Sequence, residues 1–121
     1  MVQKKYAIGL FGFGCVGQGL YDVLNYSQGL EATIARICVK DRTKERKIDM
    51  SNFTFDREEI LNRKDLDVIV ELIDNSEDAL EIVSRAMNNG LSVVSANKKL
   101  LAEHFEELYA LHVQNGVSLI Y

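Results

Sequence analysis

Three glycines, Gly12, Gly14 and Gly17, form the pattern Gly-x-Gly-x-x-Gly near the start of the chain. When such a pattern joins a strand to a helix, the first glycine permits a tight turn and the second lets a pyrophosphate approach the backbone. The third lets the helix pack on the strand, and the helix N-terminus offers unpaired N–H groups to the phosphates. This stretch therefore predicts dinucleotide binding, with a ligand-free glycine turn as the alternative. The predicted phosphate-binding residues are Gly12, Phe13, Gly14, Cys15, Val16 and Gly17.

A charged loop, Lys-Asp-Arg-Thr-Lys-Glu-Arg-Lys, follows the second predicted strand. An NAD-selective site places an acid at the end of this strand to hold the ribose 2′-hydroxyl. Here the strand is predicted to end at Val39, so Lys40 comes next, with Arg42 and Lys44 close behind, and such cations favour a 2′-phosphate. Asp41 favours NAD instead, because it would take the place of the acid if the strand ran one residue further. We expect Lys40, Asp41 and Arg42 to contact the cofactor, with NADP favoured and NAD tolerated.

Lys98 is the residue whose type and position most favour a direct part in a reaction. It comes shortly after the predicted strand 91–95, and ligands of an open parallel sheet bind beyond the carboxyl ends of the strands. An ammonium at that place would stabilise oxyanion character or orient a cofactor amide. A solvated lysine in the first turn of a helix is the alternative. The loops at the same edge predict further cofactor contacts from Ile73, Asp74, Asn75, Ser76, Ser95, Asn97 and Lys98.

The elements that would position these residues follow from the hydrophobic patterning. The predicted strands are 6–11, 32–39, 66–73, 91–95 and 117–121. The first predicted helix follows the glycine turn, with Val16, Leu20, Val23 and Leu24 at helical spacing. A short helix is predicted at 56–63, and a longer one at 76–88 ends in a left-handed cap at Asn89-Gly90. The last helix is predicted at 99–114, with Leu101, Phe105, Leu108 and Leu111 facing inward. Residues 25–29 predict a turn and residues 48–55 an irregular segment. Strands that alternate with helices predict an α/β fold of the Rossmann type, a doubly wound parallel sheet in three α/β/α layers.

Composition and charge are those of an ordinary soluble globular domain. The 121 residues suit one domain. A net charge of −4 argues against nucleic acid as the main partner, and no apolar stretch approaches the ~18 residues of a membrane span. The N-terminus enters a strand directly, unlike a signal peptide. Two cysteines without Cys-x-x-Cys spacing predict reduced thiols and no metal site. We therefore expect a cytoplasmic protein.

The chain stops on the apolar run 118–121. Because a natural protein seldom ends inside a buried strand, we expect residues 1–121 to be one nucleotide-binding domain of a longer protein.

The sequence resembles the N-terminal nucleotide-binding domain of homoserine dehydrogenases over essentially all of its 121 residues. Many NAD(P) enzymes share the glycine motif, but the set of motifs in this order is far more specific. The motifs are Gly12-Phe-Gly-Cys-Val-Gly17, Val39-Lys-Asp-Arg42, Asp67-Val-Ile-Val-Glu-Leu-Ile73, Ala96-Asn97-Lys98 and Leu101-Ala-Glu-His104. One departure is the loop after Val-Glu-Leu-Ile, where many members have Gly-Gly and this chain has Asp74-Asn75.

The resemblance implies NAD(P)H-dependent reduction of aspartate 4-semialdehyde to homoserine, on the route to threonine, methionine and isoleucine. It also implies a homodimer in the full-length enzyme, a role for Lys98 at the reaction centre, and a proton donor from a second lysine in the substrate domain. This chain alone would then be inactive. The alternatives are a non-catalytic NAD(P)-sensing regulatory module and the cofactor domain of another amino-acid dehydrogenase.

Overall fold

Strands and helices alternate along the computed structural model, which describes residues 6–26 and 31–121. The strands are β1 (Tyr6–Phe11), β2 (Ala32–Cys38), β3 (Phe53–Thr54), β4 (Val68–Glu71), β5 (Ser92–Ser95) and β6 (Leu119–Ile120). The helices are α1 (Cys15–Tyr26), α2 (Arg57–Leu61), α3 (Ser76–Asn88) and α4 (Lys98–Asn115), with a short 3₁₀ helix at Met50–Asn52. The predicted α/β class is confirmed.

The sheet has the strand order β3-β2-β1-β4-β5-β6, and every pair in it is parallel. The chain winds outward from β1 to β3 on one side and from β4 to β6 on the other. The direction of winding therefore reverses between β1 and β4, which is where ligands of doubly wound sheets bind. The predicted doubly wound sheet is confirmed.

Both faces of the two central strands are buried, so their sequences are apolar without alternation. Phe11 of β1 and Ile69 of β4 belong to one core cluster, while Leu10 and Val70 belong to another. Successive residues of a strand point to opposite faces, so the two clusters lie on opposite sides of the sheet. The result is the three-layer arrangement that the sequence predicts.

Asparagine side chains begin the two helices that follow β4 and β5. The Oδ1 atom of Asn75 accepts hydrogen bonds from the backbone N–H groups of Glu77 and Asp78, both at 3.0 Å. Asn97 caps α4 by accepting from the N–H of Leu100 at 2.9 Å. These caps satisfy N–H groups that have no partner within the helix, and they fix where each helix begins relative to its strand.

Several predicted boundaries need correction. Residues 48–55 are not wholly irregular, because they contain the 3₁₀ helix and β3, which pairs with Ile37 and Cys38 at the sheet edge. A two-residue strand is too short to produce a periodic pattern. β2 ends at Cys38 instead of Val39, and α4 begins at Lys98 instead of Lys99. Of the turn predicted at 25–29, Asn25 and Tyr26 belong to α1, and the remainder lies outside the described residues.

Three residues predicted on inward helical faces are exposed. Phe105 of α4 is 44% exposed, and in α1 Val16 is 67% and Val23 53% exposed. α4 has a break at His104, whose φ of −131° and ψ of 24° are not helical. The next residue, Phe105, lies against the ring of Tyr109 instead of the core. Leu108 remains buried, and Leu100, which was not predicted, is buried as well.

Candidate functional site

The glycine turn between β1 and α1 has the geometry that its three glycines predict. Gly12 has a φ of +95°, and a Cβ added there would lie 3.0 Å from the carbonyl oxygen of Leu72. A Cβ on Gly17 would lie 3.0 Å from the carbonyl oxygen of Gly12, so α1 packs closely on the turn. A Cβ on Gly14 would meet no atom within 4 Å. The backbone at Gly14 therefore faces open space that a phosphate can enter.

The turn forms one wall of a cleft of about 590 Å³, the main cleft. Its other walls come from the end of β2, the charged loop, α2 and the loop after β4. The lining residues are Phe11, Gly12, Phe13, Gly14, Cys15, Val16, Gly17, Cys38, Val39, Lys40, Asp41, Lys44, Arg46, Phe55, Arg57, Leu72, Ile73, Asp74 and Ile82. The cleft thus brings together the glycine turn with Lys40, Asp41, Ile73 and Asp74, as predicted from their positions at strand ends.

A smaller cavity of about 350 Å³, the side pocket, adjoins the main cleft. The two share Val16, Leu72, Ile73 and Asp74, and the side pocket adds Ala96, Asn97 and Lys98. Lys98 is an exposed residue at the start of α4. Its ammonium is therefore available to a ligand that extends from the main cleft into the side pocket.

The outer wall of the main cleft is cationic. Lys40, Lys44, Arg46 and Arg57 line it. Lys40 donates through Nζ to the carboxylate of Asp78 on α3. Arg57 lies 3.4 Å from the same carboxylate and 3.0 Å from that of Glu81. The hydrogen bond from Lys40, followed by that from Arg57, holds the pKa of Asp78 below its usual range.

Asp41 and Arg42 differ in where the structure places them. Asp41 lines the main cleft. Its Oδ1 atom accepts hydrogen bonds from the hydroxyl and the backbone N–H of Thr43, at 2.8 and 2.9 Å, and these bonds lower its pKa. Arg42 does not line the cleft, and its guanidinium lies over the ring of Phe55, 4.6 Å from the centroid. The structure therefore does not bring Arg42 into the cleft.

A buried carboxylate connects the two chain segments that form the side pocket, the loop after β4 and the loop after β5. Glu71, the last residue of β4, is 0% exposed. Its Oε1 atom accepts from the hydroxyl of Ser95 at 2.7 Å, and its Oε2 atom accepts from the backbone N–H of Ile73 at 2.8 Å. Burial raises the pKa of Glu71 and exceeds the opposing effect of these two hydrogen bonds. One side chain thus links the end of β5 to the loop after β4.

Asn97 completes this network. Its side-chain N–H donates to the carbonyl of Ile73 at 3.1 Å, and its backbone N–H donates to the hydroxyl of Ser95 at 3.2 Å. Together with the cap on α4, these bonds fix the backbone immediately before Lys98. Ser95 and Asn97 are both buried, so they support the pocket wall, and Asn97 also lines it.

Asn75 and Ser76, which the sequence predicts as cofactor contacts, line neither cavity. Asn75 is occupied as the cap of α3. Ser76 is buried, and its hydroxyl lies 3.3 Å from the Glu103 carboxylate of α4. Both residues hold α3 beside the site, and direct contact with a cofactor stays a prediction for them.

Sequence reasoning missed Glu71 and Arg57. A glutamate inside an otherwise apolar strand is a signal that could have marked Glu71, because a buried carboxylate requires hydrogen-bond partners. Nothing in the sequence marks Arg57, which reaches the cleft from the short helix α2. Among residues 6–26 and 31–121, no group of three His, Cys, Asp or Glu side chains could hold a metal ion. Within the same ranges, no helix has the length and apolar character needed to cross a membrane.

The parallel sheet, its reversal between β1 and β4 and the glycine turn at that reversal define a dinucleotide-binding domain of the Rossmann type. The family model of the homoserine dehydrogenase NAD-binding domain matches residues 12–121. The chain therefore belongs to the homoserine dehydrogenase family, as its NAD-binding domain. The predicted resemblance is confirmed, and the alternatives of a sensing module or another dehydrogenase are not favoured.

Named relatives and solved structures agree with this assignment. The chain is 39% identical to homoserine dehydrogenase from Neisseria gonorrhoeae over 95% of its own length and 28% of the relative's. It is 31% identical to the enzyme from Bacillus subtilis over 98% of its length and 30% of the relative's. A crystal structure of the S. aureus enzyme at pH 7.0 superposes with a TM-score of 0.89 and 34% identity, covering 98% of this chain and 33% of that one. The chain thus spans about a third of the length of these proteins.

Proposed function

We propose that this chain binds NAD(P)H along the main cleft and serves an enzyme that reduces aspartate 4-semialdehyde to homoserine. The observation that carries the proposal is the glycine turn. Gly12 has the positive φ of the tight turn, Gly17 lies against Gly12, and Gly14 faces open space at the N-terminus of α1. The relatives named as homoserine dehydrogenases support the choice of reaction. By the same reasoning, the reaction belongs to the route to threonine, methionine and isoleucine.

Each part of a dinucleotide would be bound by a different set of residues along the cleft. The first N–H groups of α1 have no partners within the helix and would bind the pyrophosphate at Gly14. The end of β2, with Lys40 and Asp41, would hold the adenosine ribose, and the side pocket would take the nicotinamide. When bound, the nicotinamide supplies the hydride. The network of Glu71, Ser95 and Asn97 would keep the wall of that pocket fixed.

Lys98 would act at the reaction centre. It follows the cap of α4 directly, and it lines the side pocket. There its ammonium would stabilise negative charge that develops on the substrate oxygen, or would orient the amide of the nicotinamide. Its exposure is consistent with a role that requires contact with ligands.

We infer that NADPH is preferred over NADH and that NADH is tolerated. The support is the number of cations on the outer wall, where Lys44, Arg46 and Arg57 join Lys40. A 2′-phosphate brings about two negative charges that such groups bind by charge-assisted hydrogen bonds. Asp41 also lines the wall and would accept a hydrogen bond from the 2′-hydroxyl of NADH.

The rest of the enzyme would supply what this chain lacks. We propose that residues 1–121 form the NAD(P)-binding domain and that a following substrate domain provides the semialdehyde site and a second lysine as proton donor. The full-length enzyme would be a cytoplasmic homodimer without membrane or nucleic-acid partners. The two unpaired cysteines, Cys15 and Cys38, agree with a reducing compartment. This chain alone would show no dehydrogenase activity.

Calorimetry with NADPH and NADH at low and high salt tests the binding proposal. We expect NADPH to bind more tightly than NADH, by a margin that falls with salt and falls in Lys40→Ala. Lys64→Ala removes the same charge at an exposed residue that lines neither cavity, and it should bind as the parent does. Equal affinities for both nucleotides in every condition would remove the 2′-phosphate role from Lys40.

Turnover of aspartate 4-semialdehyde by a full-length enzyme that contains this chain tests the catalytic proposal. Lys98→Ala should lower kcat by about 100-fold, which is typical for the loss of one oxyanion-stabilising group. Lys99→Ala is the matched control, because Lys99 lies in the first turn of the same helix but lines neither cavity, and its Nζ atom lies 3.9 Å from the carboxylate of Glu103. Similar activity in both variants would show that Lys98 is only a solvated helix residue.

A further inference from the structure

Asp78 connects two of the cations on the outer wall of the main cleft. It lies in the first turn of α3, and its side chain is 25% exposed. One of its carboxylate oxygens accepts from Lys40 at the end of β2, and the other lies 3.4 Å from the guanidinium of Arg57 on α2. Lys40 and Arg57 line the cleft, whereas Asp78 does not. A residue behind the wall therefore holds two side chains that belong to the wall.

The carboxylate of Asp78 competes with any anion that enters at this wall. A 2′-phosphate bound by Lys40 and Arg57 would have to share both cations with Asp78. The two negative charges of the phosphate would also lie near the charge of the Asp78 carboxylate, and like charges repel each other. A 2′-hydroxyl carries no charge and meets neither effect. Asp78 would therefore weaken the binding of NADPH and leave the binding of NADH unchanged.

We propose that Asp78 is a specificity-determining residue that restrains the preference for NADPH, so that NADH remains usable. This inference rests on the proposed function, in which Lys40 and its neighbours bind the 2′-phosphate. Asp78 acts through Lys40 and Arg57 and does not itself contact the nucleotide. It sets how much of their positive charge is available to a ligand.

The other acids near the wall are placed differently. Glu81 contacts Arg57 and Arg85 through different oxygens, and no ion pair joins it to Lys40 among the described residues. Asp41 faces the cleft itself and is held by Thr43 within its own loop. Among these acids, Asp78 alone is paired with two lining cations.

The test compares Asp78→Asn with Glu77→Gln in this 121-residue chain. Both positions are acids in the first turn of α3, so both variants lose one negative charge and the same favourable interaction with the helix N-terminus. Glu77 is exposed and lines neither cavity. Calorimetry would give the dissociation constants of NADPH and NADH for the parent and each variant, and thermal unfolding would compare their stabilities.

We expect Asp78→Asn to bind NADPH about five-fold more tightly than the parent, a difference typical of a partly exposed ion pair. NADH binding should stay within about two-fold, and Glu77→Gln should leave both constants within about two-fold. In the double variant Lys40→Ala/Asp78→Asn the gain should shrink, because Asp78 acts partly through Lys40. Asp78→Ser serves as a second variant if Asp78→Asn does not fold.

Each of the following results would overturn the inference. Weaker NADPH binding by Asp78→Asn would show that Asp78 helps to arrange the cations for the phosphate. An equal change for NADPH and NADH, or an equal gain in Glu77→Gln, would show a general charge effect. If the parent binds neither nucleotide, the proposed function fails and this inference fails with it. If the parent binds both and their ratio is unchanged in Asp78→Asn, only the role of Asp78 fails.

Discussion

The main cleft and the side pocket share a wall but are built in opposite ways. The main cleft offers backbone N–H groups of the glycine turn and the exposed cations Lys40 and Lys44. The polar side chains that support the side pocket, Glu71, Ser95 and Asn97, are buried and form one hydrogen-bonded chain. Substitutions of Gly14 and of the exposed lysines should therefore change affinity with little effect on folding. Substitutions of the buried polar side chains should change stability first and the site only as a consequence.

Among the substitutions proposed here, Glu71→Ala should lower the stability of the protein most. The variant leaves the hydroxyl of Ser95 and the N–H of Ile73 without their partner and opens a cavity. The free energy of unfolding should fall by about 3 kcal/mol, as measured by urea denaturation. Glu106→Ala, at an exposed position of α4, is the control and should change stability by less than about 0.5 kcal/mol. Equal stabilities of the two variants would mean that the Glu71 network does not hold the fold.

Gly14→Val tests the opposite behaviour in the main cleft. A side chain at Gly14 meets no atom of the chain within 4 Å but occupies the open space at the turn. Nucleotide binding should weaken by at least about ten-fold, while the free energy of unfolding changes by less than about 1 kcal/mol. A side chain at Gly19 on α1 also meets no atom within 4 Å, and Gly19 lines neither cavity. Gly19→Val should therefore bind nucleotide as the parent does, and a loss of binding there would point to damage to α1.

The two regions should also respond to pH with opposite signs. Burial raises the pKa of Glu71, so the stability linked to this group is complete below the unfolded-state pKa, about 4.3. It is lost as pH rises through the folded-state pKa. The pKa of Asp78 is lowered, so its contribution is complete above the unfolded-state value, about 3.9, and is lost as pH falls through the folded-state pKa.

Urea denaturation across this pH range would measure the pH dependence of stability that each of the two carboxyl groups contributes. The stability of the parent relative to Glu71→Gln should decrease as pH rises above about 4.3, the unfolded-state value. The stability of the parent relative to Asp78→Asn should instead decrease as pH falls below about 4. Two difference curves with the same slope would contradict the assignment of one carboxyl to a buried site and the other to a cationic surface.

Arg42→Ala should have the smallest effect. Arg42 belongs to the charged loop, but its guanidinium lies over Phe55 and outside the cleft. We expect the affinities for NADPH and NADH to stay within about two-fold of the parent values, whereas Lys40→Ala weakens NADPH binding selectively. A selective loss of NADPH affinity in Arg42→Ala would show that the loop rearranges when a nucleotide binds.

The sequence predicts the parts of the site that depend on local patterns. The glycine turn and the strand before it follow from residue types within a few positions. The sequence does not predict the approach of Arg57 to Lys40, because the helix and strand that bring them together are paired only in three dimensions. Nor does it predict the exposure of Phe105, whose spacing from Leu101 and Leu108 is that of an inward residue, or the break at His104 beside it.

The position of β1 in the middle of the sheet also has a consequence for how the chain folds. β1 pairs with β2 on one side and with β4 on the other, and the N–H of Ala7 donates to the carboxylate of Asp67 across 60 residues. Closing so long a loop costs entropy before the contacts across it form. Parallel pairings of this kind are therefore slow, with folding times of roughly milliseconds to seconds. During synthesis, one edge of this apolar strand stays open to association with other chains until Val68 has left the ribosome.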